Sequence, residues 1–252
     1  MESLWEASLA ISARVAQVRE RIEAACARVG RTVEEVSLVA ASKTRTPEEI
    51  VAALQAGVHC FAENRPEEAP DKINAVALLA CEHSLPQPCW HMIGHIQSRK
   101  ARLVVGPYQL IHSLDSLHLA QRLDRLAAER GITINALLEI NTSREVSKFG
   151  FPAPGPDGTP DSGFLVDLEP MLQMANLKLL GLMTVAPIVE DAEDARPYFR
   201  RLCLLRERLR QRFPQVEWQH LSMGMTDDYE IAIEEGSTLV RIGRAIFGER
   251  YS

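Results

Sequence analysis

Lys43 is the first residue whose type and position suggest chemistry. It follows the apolar run LVAAS, so a buried strand would end beside it and direct it toward the mouth of a parallel barrel. A desolvated lysine amine near other cations loses its proton more readily than usual and then attacks a carbonyl carbon. The position therefore predicts an amine that bonds to an aldehyde, although a lysine that follows a strand is more often an ordinary surface residue.

Two later stretches have the residue types of a phosphate cradle. In LSMGMTDD, Ser222 supplies a hydroxyl and Gly224 permits close approach of the backbone. In RIGRAIFG, Arg241 and Arg244 flank Gly243. The loops after strands seven and eight form the usual phosphate site of a (β/α)8 barrel. Together with a lysine amine they predict a phosphorylated aldehyde as ligand; a glycine turn with surface arginines is the alternative.

Other reactive residue types do not form a recognisable motif. The sequence contains no G-x-S-x-G, P-loop or H-E-x-x-H pattern. Its five cysteines are scattered, with no C-x-x-C pair, so we expect free thiols and no metal site. His91 and His95 are four residues apart, but one falls within a strand and the other at its end, which disfavours joint metal binding.

The elements that must position these residues alternate regularly along the chain. Short apolar runs, typical of strands buried on both faces, are separated by amphipathic stretches typical of helices. The first thirty residues form an extra amphipathic helix that ends at Gly30. The predicted strands are 37–42, 59–63, 90–94, 110–115, 135–141, 177–183, 218–224 and 238–243.

Eight strand–helix units predict a single α/β domain over residues 1–252, a (β/α)8 TIM barrel with an extra N-terminal helix. An open doubly wound sheet is the structural alternative. The segment 151–164 contains four prolines and three glycines and interrupts the pattern after strand five. We expect it to be a loop at the barrel mouth rather than a packed element.

Composition narrows the class of protein further. The 252 residues carry 28 Lys and Arg against 34 Asp and Glu, a net charge of −6, which offers no broad attraction to nucleic acid or to an anionic membrane. The N-terminus has no signal-peptide core and no apolar span of membrane length. We therefore expect a soluble cytoplasmic protein with neither partner.

Seven motifs in order make the sequence resemble the YggS/PROSC family of pyridoxal 5′-phosphate (PLP) homeostasis proteins. The resemblance runs from about residue 9 to the C-terminus. The motifs are LVAASKTRTPEEI, FAENRPEE, WHMIGHIQSRKAR, IHSLDS, EINTSREVSKFGF, GLMTVAP and LSMGMTDDYEIAIEEGSTLVRIGRAIFGER.

The resemblance implies an alanine-racemase-type barrel (PLP fold type III), without the racemase C-terminal β-domain, that carries PLP at its mouth. It implies a Schiff base between PLP and Lys43, with Asn64 beside the cofactor. The cofactor-binding residues expected from spacing and resemblance together are Lys43, Asn64, Ser222, Met223, Gly224, Arg241, Gly243 and Arg244.

The sequence departs from the family pattern in three places. Ala62 replaces the glycine of F-G-E-N, Arg65 replaces a frequent tyrosine, and Arg244 stands where Thr or Ser is common. The Arg244 side chain would either hold the phosphate through paired hydrogen bonds or turn outward and leave the anion to the backbone.

The resemblance implies a PLP carrier or regulator without established turnover, monomeric, with PLP-dependent apo-enzymes as candidate recipients. If Arg241 faces the ring nitrogen of PLP, its permanent charge weakens the ring as an electron sink, which also favours a carrier. A PLP-dependent amino-acid racemase and a PLP-sensing protein-interaction adaptor are the alternatives.

Overall fold

The computed structural model describes residues 2–249, with side chains from residue 6 onward. The eight predicted strands are all present, each within a few residues of its expected bounds. They are β1 (Ser37–Ala41), β2 (Cys60–Glu63), β3 (Cys89–Met92), β4 (Leu110–Leu114), β5 (Ile134–Asn141), β6 (Leu177–Met183), β7 (His220–Ser222) and β8 (Leu239–Ile242).

The eight strands close into a parallel barrel. Each pairs in parallel with the next along the chain, and β8 pairs with β1, with Val39 opposite Arg241. These pairings leave no open edge between β1 and β8. The predicted (β/α)8 barrel is therefore confirmed, and the open doubly wound sheet is excluded.

Helices surround the barrel and follow the amphipathic stretches of the sequence. The N-cap of α2, Thr46, forms a capping box with Glu49, and Pro47 occupies the first helical position. The connection between β3 and β4 contains a 3-10 segment, Ser98–Leu103, instead of an α-helix. The α-helices are α1 (Glu2–Arg28), α2 (Pro47–Gln55), α3 (Ala69–Glu82), α4 (Leu117–Arg130), α5 (Ser162–Met171), α6 (Arg196–Arg212), α7 (Tyr229–Glu234) and α8 (Arg244–Phe247), and the other 3-10 segments are Val33–Glu35 and Ala192–Ala195.

The extra helix α1 packs against α2, α7 and α8. Its predicted apolar stripe is buried from Ile11 to Ala25. Val29, the last member of that stripe, is 42% exposed, because the helix ends at Arg28 and the chain turns at Gly30 with a positive φ of 68°. Arg28 also pairs with Glu234 at 2.6 Å, which ties the end of α1 to the end of α7.

Apolar side chains form two separate clusters. The larger fills the space between the strands and the helices, and the smaller consists of strand residues on the opposite faces, which point into the barrel. The smaller cluster contains Val39, Ala62, Leu110, Leu137, Met183 and Leu239. A filled interior confines ligands to the ends of the barrel.

The Pro/Gly-rich segment 151–164 differs in part from the prediction. Phe151 extends the sheet beside Ile140 of β5, and its ring packs at 5.2 Å on that of Phe164. Gly158 is buried so closely against Leu204 of α6 that a Cβ would lie 2.6 Å from the Leu204 Cβ. Residues 153–161 form neither helix nor strand, as expected of a loop, but buried aromatic rings anchor the two ends of the segment and its turn packs on α6.

Within residues 2–249, no helix combines the length and the apolar character needed to cross a bilayer.

Candidate functional site at the barrel mouth

The residues predicted to bind the cofactor follow four neighbouring strands. In the barrel these strands are ordered β7, β8, β1 and β2. Ser222 ends β7, Gly243 follows β8, Lys43 follows β1, and Asn64 follows β2. Because parallel strands present their C-terminal ends at one rim, the closure of the barrel brings these residues to the same arc of the mouth.

The backbone that precedes Lys43 is held by a buried ion pair. Ser42 is fully buried, and its hydroxyl donates to Glu63 Oε1 at 2.7 Å. The Lys72 ammonium lies 2.9 Å from the same oxygen and donates to the Ser42 carbonyl at 3.2 Å. Lys43 itself is partly exposed. These contacts hold its main chain at the rim.

Asn64 places an acceptor in the mouth that the described residues leave unsatisfied. Its Oδ1 is buried and has no hydrogen-bond partner within residues 2–249. Gly94 fixes the backbone here, since a Cβ at residue 94 would lie 2.0 Å from the Asn64 carbonyl oxygen. A buried acceptor without a partner is costly, which makes this oxygen a candidate contact for a ligand.

Arg241 lies in the barrel interior just below the rim, 4% exposed. It donates one hydrogen bond to the Thr184 carbonyl at 2.8 Å and another to the Ser222 hydroxyl. Burial lowers the pKa of the guanidinium to about 10, although the negative charges of the Asp228 and Glu139 carboxylates act to raise it. Arg241 therefore keeps its charge at neutral pH.

Ser222 also forms a hydrogen bond with His112 inside the barrel. Its Oγ lies 2.8 Å from Nδ1 of His112, and His112 Nε2 lies 2.9 Å from Nδ1 of His91. Burial, reinforced by the charges of neighbouring His91 and Arg241, lowers the pKa of His112 well below its usual value. Ser222 thus begins a buried polar column rather than projecting from an open loop.

The remaining cradle residues have different surroundings. Met223 is fully buried. Gly224 has a φ of 92°, and a Cβ there would lie 2.6 Å from the Ala232 Cβ, so this glycine lets α7 pack beneath the loop. Arg244 is half exposed and pairs with Asp227 and Glu249. The Arg244 guanidinium is thus paired with carboxylates, one of which lies on the loop that follows β7.

The opposite side of the mouth contains groups that sequence reasoning did not select. His95 pairs with Asp115 at 2.9 Å and stacks on Phe149 at 3.6 Å between ring centroids. Two cavities of about 370 and 200 Å³ meet at Lys148 and Phe149. The smaller is lined by Glu139, whose pKa burial raises to about 7, with a further contribution from the Asp115 carboxylate. Two features of the sequence indicated this side: a carboxylate within the apolar run NALLEIN, and Lys148 in SREVSKFG, which could be a mouth residue or an exposed loop charge.

At the other end of the barrel two of the five cysteines lie side by side. Cys60 and Cys89 are register partners on β2 and β3, and their sulfurs are 2.9 Å apart with His91 beside them. Strand pairing joins residues that are distant in the sequence, so two of the five free cysteines lie beside a histidine.

Comparison with known proteins identifies relatives along nearly the whole chain. Residues 14–251 match the family described as "Alanine racemase, N-terminal domain". A curated protein of Aquifex aeolicus, named pyridoxal phosphate homeostasis protein, is 40% identical over 94% of this chain and 97% of its own length.

Solved structures agree with the sequence relationship. PipY of Synechococcus elongatus PCC7942 is 32% identical in sequence, and the match covers 94% of this chain and 100% of the PipY chain. The TM-score is 0.78 for the PipY structure without PLP and 0.76 for the one with PLP bound. The chain therefore belongs to the alanine racemase N-terminal domain family and, within it, to the pyridoxal phosphate homeostasis proteins.

Proposed function

We propose that this protein binds PLP at the barrel mouth and serves PLP homeostasis as a carrier of the cofactor, without catalytic turnover. The names of its relatives and the PLP-bound PipY structure support PLP as the ligand. The observation that carries the assignment to this chain is the unsatisfied, buried Asn64 Oδ1 on the same arc of the rim as Lys43.

The residues present fit PLP. When bound, the cofactor supplies an aldehyde that condenses reversibly with an amine, forming a C=N bond and releasing water. Lys43 is the amine that we assign to it, and Asn64 Oδ1 would accept a hydrogen bond from a donor on the ligand. The backbone after β7 and β8, around Met223, Gly224 and Gly243, would hold the phosphate, since the Arg244 side chain is paired elsewhere.

The position of Arg241 favours a carrier of PLP over a PLP-dependent catalyst. We place its guanidinium toward the ring nitrogen, where a permanent positive charge disfavours protonation of that nitrogen. A neutral ring withdraws electrons weakly from a bound substrate. Arg241 keeps this orientation through its bonds to Thr184 and Ser222.

The test is covalent trapping on the intact protein. PLP is added, the mixture is reduced with borohydride, and the modified peptide is identified by mass spectrometry. We expect one PLP per chain, on Lys43, and loss of the yellow absorbance in Lys43→Ala. Lys148→Ala is the matched control, since Lys148 also lines the mouth, and it should retain both signals. Labelling of Lys148 in place of Lys43 would overturn the assignment.

An amino-acid racemase is the second candidate, and Glu139 favours it. A carboxyl group at the mouth with a pKa of about 7 has the proton affinity of a general acid or base at neutral pH. Incubation of the PLP-loaded protein with L-alanine in deuterium oxide separates the two functions. Exchange of the α-hydrogen far above the rate with PLP alone, and its loss in Glu139→Gln, would establish the racemase.

A further inference from the structure

A second cluster of reactive side chains lies at the end of the barrel opposite the mouth. Cys60 and Cys89 are the first residues of β2 and β3, and strand register places them side by side. His91, two residues along β3, points its Nε2 at both sulfurs, 3.2 Å from each. One imidazole nitrogen and two sulfurs therefore converge on one point.

This convergence matches what a thiophilic cation requires. Zinc bonds to cysteine sulfur at about 2.3 Å and to histidine nitrogen at about 2.0–2.1 Å, usually with four ligands in a tetrahedron. A tetrahedral ion holds its two sulfurs about 3.7 Å apart, so the present 2.9 Å separation would have to widen by less than about 1 Å. Rotation of two partly exposed side chains is enough for that.

The surroundings provide access and a fourth ligand. A cavity of about 470 Å³ opens at this end and is lined by Cys60 and His91. A water molecule that enters from it can complete the coordination of an ion held by three protein ligands. Within residues 6–249, Cys60, Cys89 and His91 form the one group of three or more potential ligand atoms close enough to share an ion.

A contact between its other ring nitrogen and His112 already orients the His91 imidazole. His91 Nδ1 lies 2.9 Å from His112 Nε2, and His112 is fully buried and bonded in turn to Ser222. A metal-bound histidine typically donates its other N–H to such a partner, which fixes the ring and its tautomer. A neutral His112 can accept that bond, and Ser222 Oγ can then accept from His112 Nδ1.

We propose that Cys60, Cys89 and His91 bind one thiophilic divalent cation, of which Zn²⁺ is the type, with water from the cavity as fourth ligand. Two thiolates and an imidazole favour Zn²⁺ and Cd²⁺ over Mg²⁺ and Ca²⁺, which prefer oxygen. The site is separate from the proposed PLP site, since Cys60 and Cys89 begin their strands, whereas Lys43 and Asn64 follow the ends of theirs.

Cadmium is the probe for this site, because thiolate-to-Cd²⁺ charge transfer absorbs in the ultraviolet. The full chain is reduced, freed of metal and titrated with Cd²⁺, and Zn²⁺ is then used to displace the Cd²⁺. We expect saturation at one equivalent. Cys89→Ser should lower the affinity at least 100-fold and remove most of the band, and Cys60→Ser should do the same.

Cys203→Ser is the matched control, because Cys203 is also partly exposed but lies on α6, away from the cluster. It should bind Cd²⁺ as the native chain does. Far-UV circular dichroism and PLP titration of each variant show whether the barrel is intact. Because Cys60 and Cys89 are partly exposed, we expect both serine variants to fold.

Two results would overturn the proposal. One is a band of undiminished strength in folded Cys60→Ser and Cys89→Ser. The other is the absence of a band when all five thiols are reduced, together with formation of a Cys60–Cys89 disulfide, with loss of two hydrogens, under a mild oxidant. That result would identify a dithiol pair rather than a metal site. Neither result depends on whether PLP binds at the mouth.

Discussion

Arg241 and Arg244 flank the same glycine but lie in opposite environments. Arg241 is buried and bonded to Thr184 and Ser222, whereas Arg244 is half exposed in a surface pair with Asp227. Exposed ion pairs contribute about 0–1 kcal/mol, whereas a buried charged hydrogen bond contributes about 1.5–3 kcal/mol. The two arginines therefore make unequal contributions to the stability of the mouth.

We expect Arg241→Gln to weaken PLP binding about 10- to 100-fold, which is about 1.4–2.8 kcal/mol. Arg244→Gln should weaken it less than about threefold, because its half-exposed guanidinium is already paired with Asp227. Equilibrium dialysis gives both dissociation constants, and a denaturation curve shows whether each variant is folded. A larger loss in Arg244→Gln would contradict the assigned roles.

Glu139 makes stability depend on pH. Burial raises its pKa from 4.5 to about 7, so the folded chain binds a proton that the unfolded chain releases between these values. Stability contributed by the protonated form is therefore present below about pH 4.5, falls as the pH rises toward 7, and is lost above it.

We expect Glu139→Gln to be more stable than the native chain by about 2 kcal/mol at pH 8, and by less than about 1 kcal/mol at pH 5. Urea unfolding at both pH values measures the difference. Glu217→Gln, an exposed position paired with Lys178, is the control and should show little change with pH. Equal effects of Glu139→Gln at the two pH values would show that its carboxyl group ionises normally.

Single residues also show where sequence reasoning succeeds and fails. The position of Lys43 was predictable, because an apolar run followed by a lysine marks the end of a buried strand. The column from His91 through His112 to Ser222 was not, because Ser222 lies 110 positions from His112. The Cys60–Cys89 pair depends on the register of β2 with β3, which no local pattern specifies.

At the scale of elements, the barrel was predictable because its strands are buried on both faces and therefore read as continuous apolar runs. All five residues of β4 are buried, for example. The packing of segment 151–164 was not predictable, since proline and glycine content indicates backbone freedom but not the burial of Phe151 and Phe164 at its ends.

The loop after β3 positions Asn64 through contact with its backbone. A Cβ at Gly94 would lie 2.0 Å from the Asn64 carbonyl oxygen, which requires β2 or the β3 loop to move. We expect Gly94→Ala to cost about 3 kcal/mol of stability and to weaken PLP binding, since Asn64 would be displaced. Chemical denaturation and dialysis measure the two effects.

Gly30→Ala is the control for Gly94→Ala. A Cβ at Gly30 meets nothing within 4 Å, so the variant adds the strain of a positive φ alone, about 1 kcal/mol. It also lies at the end of α1, away from the mouth, and PLP affinity should not change. Equal losses in the two variants would mean that the mouth tolerates movement of Asn64.

At the scale of the whole molecule, the filled interior separates two ends with different chemistry. Leu137, Met183 and other apolar side chains occupy the middle of the barrel, with the polar column beside them. A ligand at either end stabilises the folded chain by mass action, because the unfolded chain lacks both sites. Each ligand should therefore raise the melting temperature without the other.

We expect PLP at about 100 times its dissociation constant to stabilise the native chain by about 2.7 kcal/mol, a rise in Tm of about 5–10 °C. Cys60→Ser should show the same rise, because Cys60 begins β2 and Asn64 follows the end of that strand. Arg241→Gln at the same PLP concentration should show a clearly smaller rise. Differential scanning fluorimetry measures all three proteins. If Cys60→Ser abolished the PLP-dependent rise, the two ends would be coupled, and the column of His91, His112 and Ser222 that runs to Arg241 would be the connection between them.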